Sequence, residues 1–165
     1  MPFFGRLASS YKAIGLMAHR YRAPVVVGWA KRVGGRDLGG SMVERSRALR
    51  FDLLIPDAFG PEDWEGQPDP VFYITARYRR ALETAFSQAP DQVLWMHRFW
   101  KSRPLHERKG KPFPAALERK LRELPWMTDA EVERIKARSV RDAAEFAADP
   151  KNARQREEPE EPGLA

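Results

Sequence analysis

The pattern of apolar and polar positions divides the chain into recognisable elements. Met1-Pro-Phe-Phe-Gly-Arg6 starts with aromatics and reads as a strand end entering a glycine turn. Ser9 or Ser10 can then cap a helix. From Tyr11 to Arg22, Ile14, Met17, Ala18 and Tyr21 recur at helical spacing, with Lys12, His19, Arg20 and Arg22 off that stripe. Val25 to Ala30 is apolar on both faces, which predicts a central strand covered by helices. Leu49, Phe51, Leu53 and Ile55 alternate with Arg50 and Asp52, a strand with one wetter face that Pro56 should end. Gly34-Gly35 and Gly39-Gly40 bracket the connection between these two strands.

The second half reads as helical. Residues 61 to 70 form a loop rich in Pro, Gly and acid. From Val71 to Gln88 the residues Ile74, Tyr78, Ala81, Leu82, Ala85 and Phe86 share one helix face. Pro90 should open a further helix running to Pro104, followed by a basic loop over 106–112. Two more helices are expected at about 114–124 and 129–148. Thr128 and Glu131 form a capping box at the start of the last one. The Glu- and Pro-rich tail from Lys151 to Ala165 is expected to be disordered. There is no internal repeat.

A helix lying between two strands argues for a parallel α/β unit. The expected fold class is therefore α/β: a partial sheet with flanking helices, plus a helical C-terminal extension. The units are 1–104, 105–148 and 149–165. Two full strands and one partial strand are few for an α/β sheet, so strand partners are expected to be missing.

Composition narrows the chemistry. The 165 residues carry a net charge of +6, which favours anionic partners. There is no cysteine, so disulfides, thiol catalysis and cysteine-based zinc sites are excluded. The three histidines, His19, His97 and His106, form no close pair, and no metal or cofactor is expected. No apolar run approaches the roughly 18 residues needed to span a bilayer.

The densest chemistry lies in Leu94-Trp-Met-His-Arg-Phe-Trp-Lys-Ser-Arg-Pro104. On a helix, Val93, Trp95, Met96, Phe99 and Trp100 would share one arc, and His97, Arg98 and Lys101 the opposite one. Three readings fit. One is a packed helix with a solvated basic rim that compensates the helix dipole. Another is a phosphate or headgroup site, with Arg forks on phosphate oxygens and Trp at a lipid boundary. Nucleic-acid binding draws on the same charge, but no reader motif is present and the aromatics oppose the basic groups.

Residues Pro90, Gln92, Trp95, His97, Arg98, Trp100, Lys101, Arg103 and Pro104 match the PEQ-x-x-W-x-H-R-R-[FW]-K-[TS]-R-P signature that this segment resembles. That signature belongs to the lipid A biosynthesis acyltransferases, the lauroyl/myristoyl transferase family. Phe99 departs, because the family has a second Arg there. Pro2-Phe-Phe-Gly-Arg6, Ala8, Ser10 and Ala23-Pro-Val-Val26 resemble the family's PFFG and APVV block, and Glu83 stands where the family has an acidic residue. The resemblance covers roughly residues 1–104.

The resemblance implies a glycerolipid-acyltransferase-like fold. It also implies transfer of a fatty acyl chain from acyl carrier protein to an anionic lipid A precursor, at the cytoplasmic face of the bacterial inner membrane. The family's catalytic His-x4-Asp/Glu motif is absent: the fifth residues after His19, His97 and His106 are Pro24, Ser102 and Lys111. The chain thus resembles the C-terminal half of such an enzyme and is expected to be inactive alone, with no catalytic residue of its own. The substrate-binding candidates are Arg6, His97, Arg98, Lys101 and Arg103. The alternative is a non-catalytic module that holds anionic lipid or acyl carrier protein. Nucleic acid is not an expected partner.

Overall fold

The computed structural model describes residues 1–33, 41, 50–95 and 99–152. It is a mixed α/β structure with two small sheets, both antiparallel. β1 (Pro2–Phe3) and β2 (Arg6–Leu7) form a hairpin in which Pro2 faces Leu7 and Phe3 faces Arg6. The expected strand end is therefore a complete hairpin. Phe4 (φ 50°) and Gly5 (φ 68°) make its two-residue turn, with the positive φ at both central positions that a type I′ turn requires. Gly5 takes that conformation without penalty, whereas Phe4 needs support from elsewhere.

α1 (Ala13–Tyr21) is shorter than expected and begins after Lys12, with no side-chain cap from Ser9 or Ser10. Its apolar stripe is not its buried face. Gly15 and Ala18 are buried, whereas Ile14, Met17 and Tyr21 are 48%, 61% and 68% exposed. Small residues win the interior position because α1 lies close against the next long helix. A Cβ on Gly15 would stand 2.7 Å from Thr75 Oγ1 and 2.9 Å from the Val71 carbonyl oxygen.

β3 (Val25–Val33) pairs with β4 (Arg50–Phe59) in antiparallel register and not with the N-terminal hairpin, so the parallel unit expected across α1 does not form. β1 already has its partner in β2, so α1 joins two separate antiparallel sheets and does not cross over within one. Pro56 does not end β4. The register shifts between Val27, opposite Asp57, and Trp29, opposite Leu54. Ile55 and Pro56 together face Gly28 in this bulge, a position that tolerates a residue without an N–H. Among the described residues only one face of this sheet is covered. Val27 and Phe59 are buried, while Val26, Phe51, Leu53 and Ile55 are 62%, 58%, 71% and 57% exposed. The central strand expected from Val25 to Ala30 is therefore half-open.

A short helix, α2 (Pro61–Trp64), occupies the expected loop and drives Trp64 into the core. α3 (Pro70–Gln88) matches the predicted pattern, with Ile74, Tyr78, Ala81 and Ala85 inward. Pro70 stands at its first position, and the Asp69 side chain accepts from the Phe72 N–H at 2.9 Å. Both α1 and the β3–β4 sheet pack on it.

The helix expected over 90–103 is absent among its described residues. Pro90–Gln92 is one 3-10 turn, after which Val93 is extended (φ −83°, ψ 133°). Beyond it, α4 (Leu105–Arg108) replaces part of the expected basic loop and buries His106 and Glu107. α5 (Ala115–Arg122) and α6 (Asp129–Ala148) lie where expected. The capping box is formed: Glu131 N–H donates to Thr128 Oγ1 and Thr128 N–H to Glu131 Oε2. Leu7, Ala18, Val27, Phe59, Trp64, Ile74, Leu121, Val132 and Ile135 belong to one buried cluster. The segments 1–104 and 105–148 thus share a core. The Gly34–Gly40 connection and the tail from 153 onward lie outside the described residues.

Candidate functional site

The hairpin brings the two sequence blocks of interest together. Phe3 is fully buried, with Phe99 and Trp100 centroids 5.2 and 5.8 Å away and Phe86 at 6.0 Å. The Arg79 guanidinium lies 4.0 Å from the Phe3 ring centroid, a cation–π contact within a dry environment. Burial pulls the Arg79 pKa below its ordinary value. The strained Phe4 is held by its N–H, which donates to Glu83 Oε1 at 2.7 Å. Burial raises the Glu83 pKa, opposed by that hydrogen bond and by Arg79 and Arg80.

The side chains of the 90–104 segment act as ties. Gln92 uses its amide as a piece of strand: it accepts from the Arg32 N–H at 2.8 Å and donates to the Arg32 carbonyl at 2.9 Å. Trp95 Nε1–H donates back to the Pro90 carbonyl at 2.6 Å, and Trp100 Nε1–H to the Phe3 carbonyl at 3.3 Å. Trp100 and Phe99 thereby face the hairpin. Here tertiary pairing replaces the helical ladder.

Arg103 is the centre of a buried network. Its Nε donates to Glu107 Oε2 at 2.6 Å, its Nη1 to the Leu7 carbonyl at 2.8 Å, and its Nη2 to Asp142 Oδ2 at 2.7 Å. Arg6 Nε also donates to Asp142 Oδ2, at 2.8 Å, and Arg138 Nε stands 2.9 Å from Oδ1. Three arginines therefore surround one carboxylate whose side chain is fully buried. Glu107 continues the network: Ser139 Oγ–H donates to its Oε1 at 2.6 Å, and His106 Nε2 lies 3.0 Å from the same Oγ. With the Ser139 proton directed at Glu107, His106 donates through Nε2. Burial raises the Glu107 pKa and lowers that of His106, the latter aided by the Arg103 charge.

Of the residues expected to bind an anionic substrate, Arg6 and Arg103 come together, on Asp142. All three nitrogens of Arg103 are engaged, so no edge of the fork is left for an external phosphate. Arg6 keeps 29% of its side-chain exposure. Lys101 is exposed at the surface. His97 and Arg98 lie outside the described residues. Sequence reasoning missed Asp142, Glu107 and Ser139. The signal lay in α6, where Val132, Ile135, Ser139, Asp142 and Phe146 form the buried stripe. An acid and a hydroxyl in an apolar stripe require buried partners.

Beside this network, between the hairpin, α3 and α6, lies an open cavity of about 450 Å³ that Pro2, Gly5 and Glu83 help to line. Among the described residues no cluster of His, Cys, Asp and Glu could hold a metal ion, and no helix is long and apolar enough to cross a membrane.

No family model, curated protein or solved structure matches this chain.

Proposed function

We propose that the chain is a lipid A acyltransferase-type protein. It would serve transfer of a fatty acyl chain from acyl carrier protein to an anionic lipid A precursor, at the cytoplasmic face of the bacterial inner membrane. Its part is to hold substrate and membrane surface. The His-x4-Asp/Glu dyad that would move the acceptor's proton is not contained in these 165 residues.

One observation carries the reading. The two sequence blocks that resemble the family lie about ninety residues apart in the chain, yet they are built into one unit. Phe3 packs on Phe99 and Trp100, and Arg103 donates to the Leu7 carbonyl. A chance likeness in two separate strings gives no reason for them to meet. The apolar face of the β3–β4 sheet that is left open among the described residues gives secondary support, because an α/β acyltransferase fold would cover it with a further layer.

The test uses the full chain and sedimenting vesicles of three compositions: phosphatidylcholine alone, phosphatidylcholine with phosphatidylglycerol, and phosphatidylcholine with a bis-phosphorylated lipid A precursor. The expected order of binding is precursor, then phosphatidylglycerol, then phosphatidylcholine, with Lys101→Ala weakening the first. Equal sedimentation with all three refutes the proposal. Acyl transfer from acyl carrier protein by this chain alone would overturn the reading that its part is to hold substrate and membrane surface. A second reading, a non-catalytic module for anionic lipid or acyl carrier protein, is favoured by the missing dyad. It predicts the phosphatidylglycerol response without preference for the precursor.

A further inference from the structure

The cavity beside the Asp142 network has two chemically distinct parts. Its floor is apolar: Ala76 from α3, Leu124, Trp126 and Met127 from the α5–α6 connection, and Ile135 from α6. Its rim is cationic, with Arg134, Arg138 and Arg141 one to two turns apart on α6 and Arg80 facing them from α3. The volume, about 450 Å³, falls within the range of small-molecule sites, roughly 300–1,000 Å³.

The partners of the rim charges decide what could enter. The two acidic groups on the lining already have partners: Glu131 closes the α6 capping box, and Glu83 accepts from the Phe4 N–H. Arg138 is paired with Asp142 and Glu145. Arg80 stacks on Trp126, 5.4 Å from its ring centroid. Arg134 and Arg141 are exposed and close no salt bridge among the described residues, although the charge of Arg134 is felt by Glu131 one turn before it. The cavity therefore presents two cations that no salt bridge among the described residues engages, above an apolar floor. An uncharged apolar ligand would use the floor alone, and a small inorganic anion the rim alone. The guanidinium over Trp126 occupies a ring face on which a nucleobase would otherwise stack.

We propose that this cavity binds an amphiphilic anion, with a phosphate or carboxylate head at Arg134 and Arg141 and an apolar body on Leu124, Trp126, Met127 and Ile135. The site is built mainly by α6 and the connection before it, and of the residues quoted for the acyltransferase resemblance only Pro2, Gly5 and Glu83 border it. It stands or falls separately from the vesicle experiment. A charged head gains from fork-shaped, charge-assisted hydrogen bonds, each worth about 1.5–3 kcal/mol.

Calorimetric titration of the full chain tests it with four probes kept below their micelle concentrations: dodecyl phosphate, dodecanoate, dodecanol and inorganic phosphate. The two amphiphilic anions should bind at least tenfold more tightly than dodecanol or phosphate. The double variant Arg134→Gln/Arg141→Gln should lose about tenfold in affinity for them, and Ala137→Trp, which fills the cavity from an exposed helix position, should abolish binding. All three substitutions are at exposed positions, so unfolding midpoints should stay at the parent value and show that the fold persists. A preference for dodecyl phosphate would assign a phosphate-headed lipid, and one for dodecanoate a fatty acid. Dodecanol binding as tightly as the anions, anion binding undiminished by Ala137→Trp, or no binding at all overturns the inference.

Discussion

Replacing Arg103 by methionine tests the claim that the Arg103 network holds the hairpin to the C-terminal helices. The side chain is 4% exposed, and those of Glu107 and Asp142 are fully buried. Methionine keeps most of the volume but removes every donor. Asp142 retains Arg6 and Arg138, so its charge stays compensated. Among the described residues Glu107 retains only Ser139 as a side-chain partner, and the Leu7 carbonyl loses its Arg103 donor. Breaking a buried pair from one side costs about 3–5 kcal/mol, against a total stability of about 5–15 kcal/mol for a typical domain. The expected loss for Arg103→Met is therefore about 3 kcal/mol, near the low end because Asp142 is still paired. Adding Glu107→Gln should recover about 1–2 kcal/mol by removing the uncompensated charge. Urea unfolding at pH 7, followed by tryptophan fluorescence, measures both. A loss below about 1 kcal/mol for the single variant, or no recovery in the double variant, would refute the network as a stabilising clamp.

Three other outcomes are expected. Gly15→Ala should cost about 1–3 kcal/mol in the same assay, because its Cβ meets the Val71 carbonyl as well as a movable hydroxyl; an unchanged midpoint would mean that α1 and α3 separate readily. His106 has a folded pKa below its ordinary 6.5, so the unfolded chain takes up the proton first and stability falls as pH drops below about 6.5. Comparing wild type and His106→Gln at pH 7.5 and 5.5 should show a smaller acid loss in the variant, and equal losses would remove His106 from the account. Leu53→Lys, on the open sheet face, should change stability by less than about 0.5 kcal/mol while reducing self-association in analytical ultracentrifugation, whereas a large destabilisation would show that the face is covered.

Local pattern was enough for α3, α5 and α6. Each is a run with a helical apolar period; Asp69 and Thr128 cap α3 and α6, and Thr128 with Glu131 needs no partner outside four residues. Elsewhere, the same kind of pattern misled. The Ile14, Met17 and Tyr21 stripe has helical spacing, but α1 can approach α3 only through Gly15 and Ala18, so the large residues turn outward. The 90–104 segment has an amphipathic sorting that a helix would satisfy. Its side chains instead bond to Arg32, Phe3 and Leu7, between 60 and 97 positions away, and those bonds replace the helical ones.

The sequence alone determined the mixed α/β class, the net positive charge and the absence of thiol chemistry. These depend on composition and on short-range period, which a linear chain displays directly. Tertiary structure alone decided the antiparallel pairing of β3 with β4, the engagement of Arg103 by Glu107 and Asp142, and the cavity under the α6 arginines. Each depends on groups brought together by burial. An Arg in a string of letters carries the same charge whether it faces water, a ligand or an acid at another point in the chain. Only the folded distances show which of these neutralises it.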